Sequence, residues 1–338
     1  MLRRSRTVIL SFSLAILGAV PALSAEPGGL NIVGSVAGAD GPWDYAAVDS
    51  ETHRLFVARG DGVMVVDLLS GAVTPTLVPG KRVHGVLPLP DGVAVSTNGE
   101  TGDVTLFKMS DGAILAQFPA GKKPDSVVRD AKSGLVAVMN GDDGSVTLID
   151  VAGKVVAGSI AVGGKLEFAA AAGEGRVFVN VEDKNELAEL DIPDRRVVRR
   201  IPLPGCDSPT GLAFDAKTHV LVSACGNGVA VAVSAVEGEV FATLPIGKGP
   251  DAVMFDAKTR RFLIPCGRDG VLTVIGEAED GSLKVVETAS TAKGARTGAV
   301  DPDTGKVYLP TAEFEAAKTG ERPAAKPGSF HILVLDRN

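Results

Sequence analysis

The chain predicts an all-β protein, a seven-bladed β-propeller built from four-stranded blades. Three observations carry that prediction. A pattern of roughly 40 residues recurs seven times from about residue 30 onward, and self-similarity at this period marks ring and solenoid architectures. Each copy holds short stretches rich in Val, Ile, Leu and Ala, often alternating, with Gly- and Asp-containing turns between them. The seventh copy lacks its last stretch, and a matching one stands ahead of the first copy.

The copies align on the residue that opens their first strand. These landmarks are Asp44, His84, Asp125, Glu167, Thr210, Asp251 and Arg296, separated by steps of 40, 41, 42, 43, 41 and 45 residues. In the fifth copy the strands are expected over 211–215, 220–224, 229–234 and 240–246, with DAKTH, CGNG and VEGE at the turns. The third copy reads the same way, as SVVRD, LVAVM, SVTLID and VVAGSIAV. The seventh offers only GAVDP, KVYLP and FHILVLD. Its missing outer strand is expected at 30–37 (LNIVGSVA), paired beside FHILVLD, because an open ring would leave two unpaired sheet edges.

Residues 1–25 read as a secretory signal, with Arg3, Arg4 and Arg6 ahead of an apolar stretch from Thr7 to Val20 and a small-residue region ending at Ala25. The apolar stretch is shorter than the roughly 20 residues a membrane helix needs, so no stable membrane insertion is expected. No cysteine stands there to carry a lipid. The remainder, 26–338, is expected to be one propeller domain, exported to a periplasm or secreted, and monomeric. Without the three signal arginines, the 34 basic side chains fall to 31 against 41 acidic ones. That acidic balance argues against nucleic acid as a partner, as does the scarcity of stacking residues, two Tyr and one Trp.

The openings GKKPDSVV and GKGPDAV, turns of the form D-x-x-T/S-G such as DPDTG, and strands such as VTLIDV are similar to those of the YVTN-repeat (YncE-like) β-propeller family. The resemblance covers essentially all of the chain after the signal. It implies a seven-bladed propeller and leaves chemistry open, since propellers serve as enzymes, ligand binders and interaction platforms alike.

First strands line a propeller's channel, so the seven landmarks should ring one mouth. Two residues further in, the strands carry Ala46, Val86, Val127, Ala169, Leu212, Val253 and Gly298, which predicts a channel lined by small apolar groups below a polar rim. By alignment the second strands end at Arg59, Asn98, Asn140, Asn180, Cys225, Cys266 and Thr311, which are expected to widen this rim into a funnel. Convergent polar groups in a concavity make it the default binding site. The competing reading is a water-filled mouth that merely solvates polar strand starts.

Asp44, Asp125, Glu167 and Asp251 together suit a divalent metal, Ca²⁺, Mg²⁺ or Mn²⁺ before Zn²⁺, with His84 leaving Zn²⁺ open. His84 is the candidate acid/base and Arg296 the candidate clamp for an anionic group. His53, His219 and His331 read as structural. A long connection at 312–327, with Glu313 and Phe314 at its root, lies on the same face and reads either as a cover over the mouth or as a plain tether. Cys206 and Cys225 belong to one blade and are expected to form a disulfide in an oxidising compartment, with Cys266 left as a buried thiol.

Three functions follow from this reading. The first is an exported propeller that binds a small polar ligand or a divalent metal at the mouth. The second is a metal-dependent enzyme of lyase or lactonase type using the same ring. The third is an interaction platform for another exported protein, without a small-molecule site.

Overall fold

A computed structural model describes residues 28–278, 280–316 and 323–337. Seven four-stranded antiparallel sheets form the blades, each with its strands in sequence order outward from the channel, except that blade 7 takes its outermost strand from the start of the chain. The expected strands of the fifth copy are found at Pro209–Asp215, Val220–Cys225, Val229–Ser234 and Glu239–Pro245. The outermost strand of blade 7 is Leu30–Ala37, antiparallel to His331–Arg337, running from Leu30 opposite Arg337 to Ala37 opposite His331. The ring is therefore closed by both ends of the described chain. The closing strand is also tied sideways to blade 6, where Glu287 accepts the Leu30 N–H at 2.5 Å and pairs with Arg337 at 3.1 Å. The predicted signal at 1–25 lies outside the described residues.

Recurrent turns explain why such short strands stop where they do. In DAKSG the Asp130 carboxylate accepts bonds from the Ser133 N–H and hydroxyl, at 2.9 and 2.6 Å. Asp215 with Thr218, Asp256 with Thr259 and Asp301 with Thr304 repeat the device. The residue after the Ser or Thr then adopts a left-handed backbone, as at Gly134 and Gly305. His53 (φ 52°) and His219 (φ 56°) occupy that same place, which is a conformational role and not a chemical one.

The apolar core is divided among the gaps between blades. Val86, Val127, Ala169, Leu212 and Val253 all sit in these clusters, for example Val86 with Val63, Val83 and Phe107. This corrects the expectation that they line the channel. The reason is local: in blades 1 to 5 the pairing of the first two strands shifts across the landmark, as between Trp43 and Ala46 or Pro124 and Val127. A bulge breaks the two-residue alternation and re-aims the side chains beside it.

Candidate functional site at the channel mouth

Four of the seven landmarks are held by the blade before them. The Thr297 hydroxyl donates to the Asp44 carbonyl, Thr97 to that of Asp125, and Ser126 to that of Glu167, all at 2.7–2.8 Å. The Asn180 amide does the same for Thr210 at 2.8 Å. Backbone polarity is thus satisfied between blades, and the acidic side chains are left for one another.

They meet. His84 Nδ1 lies 2.6 Å from Asp44 Oδ2 and 3.9 Å from Asp125 Oδ1. Asp44, His84 and Asp125 each offer a ligand atom, and these three atoms all lie within 4.8 Å of one another. Three cations brace the ring. Lys123 Nζ is 3.1 Å from Asp125, Lys165 Nζ is 3.2 Å from Glu167 and also bonds Glu182, and Arg296 Nε is 2.8 Å from Asp251. Lys123 adopts a left-handed backbone (φ 52°) two residues before its partner, and Arg82 and Ser208 repeat that geometry before His84 and Thr210.

Even so, the carboxyls resist ionisation. Burial, reinforced by Asp251, raises Asp44 above the usual range against the hydrogen bond from His84. Burial and the nearby Asp44 raise Asp125 despite His84 and Lys123. Glu167 is pushed up to about 8, by burial first and Asp125 second. Asp251 is likewise raised by burial, although Arg296 opposes the shift.

Sequence reasoning missed the groups that fill the middle. Tyr45 is buried within reach of all four acids: burial and then Asp251, Asp125, Asp44 and Glu167 hold its phenol protonated far above the ordinary range. Its ring packs edge-on against Phe168 from blade 4, centroids 4.8 Å apart. An aromatic pair therefore crosses the ring where small apolar residues were expected. The signal was available, because the position after the landmark reads Tyr, Gly, Ser, Phe, Gly, Ala, Thr around the seven copies.

The ends of the second strands are engaged in hydrogen bonds to the frame. Arg59 donates to the carbonyls of Ala39, Gly41 and Pro42 and stacks 3.7 Å above the Phe330 ring. Asn98 bonds Asp103 and Thr105, and Asn140 makes the equivalent pair of bonds to Ser145 and Thr147. Asn180 and Thr311 are spent on Thr210 and Lys293 carbonyls. Cys225 is bonded to Cys206, Cα atoms 5.4 Å apart, and Cys266 is a buried thiol pushed up to about 11 by burial. Thr210 turns its hydroxyl to the Pro250 carbonyl at 3.2 Å. Glu313 is exposed and pairs with Lys326 at 3.1 Å, where 313–315 and 324–326 form a short ladder; residues 317–322 of the expected cover lie outside the described residues.

Fold and site together define a seven-bladed propeller with a carboxylate-rich mouth. The chain is similar in fold to a solved chain titled Kuenenia stuttgartiensis hydrazine synthase, with a TM-score of 0.69, 15% sequence identity, and coverage of 82% of this chain and 95% of that one. Such low identity speaks for the fold alone. No family model matches the chain, and no curated protein matches it. The likeness to YVTN-type repeats rests on the repeat motifs quoted above. Among the described residues no helix is long and apolar enough to cross a membrane, and the disulfide is consistent with an oxidising compartment.

Proposed function

We propose that this chain is an exported propeller whose mouth binds a divalent cation, or a small polar ligand carrying positive charge, through Asp44, His84 and Asp125. One observation carries the reading: four carboxyls, Asp125 and Glu167 buried and Asp44 and Asp251 partly so, converge with their ionisation raised, so the ring is short of positive charge even with Lys123, Lys165 and Arg296 in place. Two carboxylates and one imidazole fit Mn²⁺ well, and Zn²⁺ remains compatible with His84. Glu167 and Asp251 stand outside the compact trio and act through charge, each already paired to its own cation.

The enzyme reading draws on the His84–Asp44 pair, which has the form of an oriented acid/base. Against it, His84 Nε2 is buried with no partner among the described residues, and a Cβ at Gly99 would collide with the imidazole, so that nitrogen sits against the chain's own backbone. Binding is the better supported function.

Calorimetric titration with Mn²⁺, Zn²⁺, Ca²⁺ and Mg²⁺, beside a thermal-shift panel of small amines, tests this. The expected result is saturable binding that Asp125→Asn and His84→Ala each abolish while the protein stays folded. No binding by any cation or amine would overturn the proposal.

A further inference from the structure

The cavity between blades 6 and 7, on the same face as the ring, has a volume of about 420 Å³ and is lined by Arg268, Lys293, Arg296, Phe314 and three glycines. Its size falls within the roughly 300–1,000 Å³ of small-molecule sites. Its charge is the reverse of the ring's. Arg268 and Lys293 have no carboxylate within ion-pair distance among the described residues, and Arg296 gives Nε to Asp251 and Nη2 to the Trp43 carbonyl (3.1 Å) while its guanidinium lies 5.8 Å from the Trp43 ring centroid. Three cations thus share one acidic partner.

The walls are fixed in advance. The Gly294 N–H donates to the Gly267 carbonyl at 2.7 Å, and the Lys293 carbonyl accepts from Thr311 at 2.8 Å. Gly294 is left-handed (φ 89°), and a Cβ there would run into the Phe314 ring, so glycine is what lets the aromatic close one side of the cavity. Phe314 is itself seated on Trp43, centroids 6.3 Å apart. Cationic groups and an aromatic ring lining one cavity select a molecule with an anionic oxygen group and an apolar body.

We infer that this cavity is a subsite for a small organic anion, a carboxylate or phosphate on an apolar body, held by Arg268 and Lys293 against Phe314. The inference rests on the reading of the mouth as a binding site and names the chemistry of the ligand's other end. Arg296 joins the two regions, because its Asp251 partner belongs to the ring.

Phenylphosphonate and benzoate serve as probes, with benzyl alcohol as the uncharged control, each titrated calorimetrically into the full chain alongside Mn²⁺. The anions should bind and the alcohol should not. Arg268→Gln and Lys293→Gln should each weaken anion binding roughly tenfold, the scale of one charge-assisted contact, and leave Mn²⁺ binding unchanged. Lys217→Gln, in an exposed turn of blade 5, should alter neither. Mn²⁺ binding without anion binding, or anion binding indifferent to Arg268→Gln and Lys293→Gln, would overturn the subsite and leave the mouth reading standing. Loss of both ligands from the unaltered protein would remove the two together.

Discussion

Replacing Glu167 by glutamine isolates the electrostatic tension in the ring. The folded protein holds this carboxyl at about 8, whereas its ordinary value is 4.5. Between those values the native state keeps a proton that the unfolded chain has released. Stability therefore falls as pH rises through this window, and the loss is complete only above the folded value. At about 1.36 kcal/mol per pH unit, going from about pH 5.5 to pH 8 removes about 3 kcal/mol through this one group. Glutamine has no proton to give up, and its amide oxygen still faces Lys165, 3.2 Å from the carboxyl it replaces. Urea melts of the parent and Glu167→Gln at about pH 5.5 and about pH 8.5 would measure the difference. The variant should gain about 3 kcal/mol on the parent between the two conditions. An unchanged difference would refute the claim that burial and Asp125 load this carboxyl.

Two further outcomes test the frame. Deleting Leu30–Ala37 should abolish cooperative thermal unfolding, because it removes a whole strand of blade 7 and the Glu287 ties to blade 6; a truncated chain melting like the parent would contradict the closure. The Cys206–Cys225 bridge spans 19 residues, so Cys225→Ser should cost about 3 kcal/mol in a denaturant melt. Unreduced native protein should meanwhile expose no fast-alkylating thiol, since Cys266 is buried with its ionisation raised to about 11.

The repeat made the architecture legible because a blade is a local object. Its four strands and their turns occupy one continuous stretch, and the aspartate turns are written out as DAKSG or DPDTG. Ring closure was legible too, since one copy lacked what stood spare at the other end. The disulfide followed from two cysteines falling in one blade of a chain whose sequence reads as exported. What resisted reading was side-chain direction. Alternation was carried straight through the landmark, but the bulge at that point turns Tyr45 and Phe168 into the channel and sends Val86 and Leu212 between blades. Alignment brought Asp44, His84 and Asp125 to one mouth and drew in Arg59, Asn98 and Asn140 as well. Those residues stand near the same face, yet hydrogen bonds inside their own blades satisfy them first. Lys123 and Lys165 were overlooked because they precede the strands, in the connecting turns.

The arrangement also bears on why a binding reading outranks a merely hydrated channel. Three of the four acidic landmarks are fixed twice, once by their own strand and once by a bond to their carbonyl from the preceding blade: Thr297 to Asp44, Thr97 to Asp125 and Ser126 to Glu167. Held in place, these carboxyls have their ionisation raised by burial first and by neighbouring acids second. A channel that only needed filling could have done so with Tyr45, Phe168 and neutral neighbours. Instead the fold sustains a local conflict at one place, and such conflicts mark functional sites more often than structural ones. The conflict also has a sign. It is relieved by added positive charge and worsened by its removal, which is why the ligand we propose is a cation or carries a cationic group.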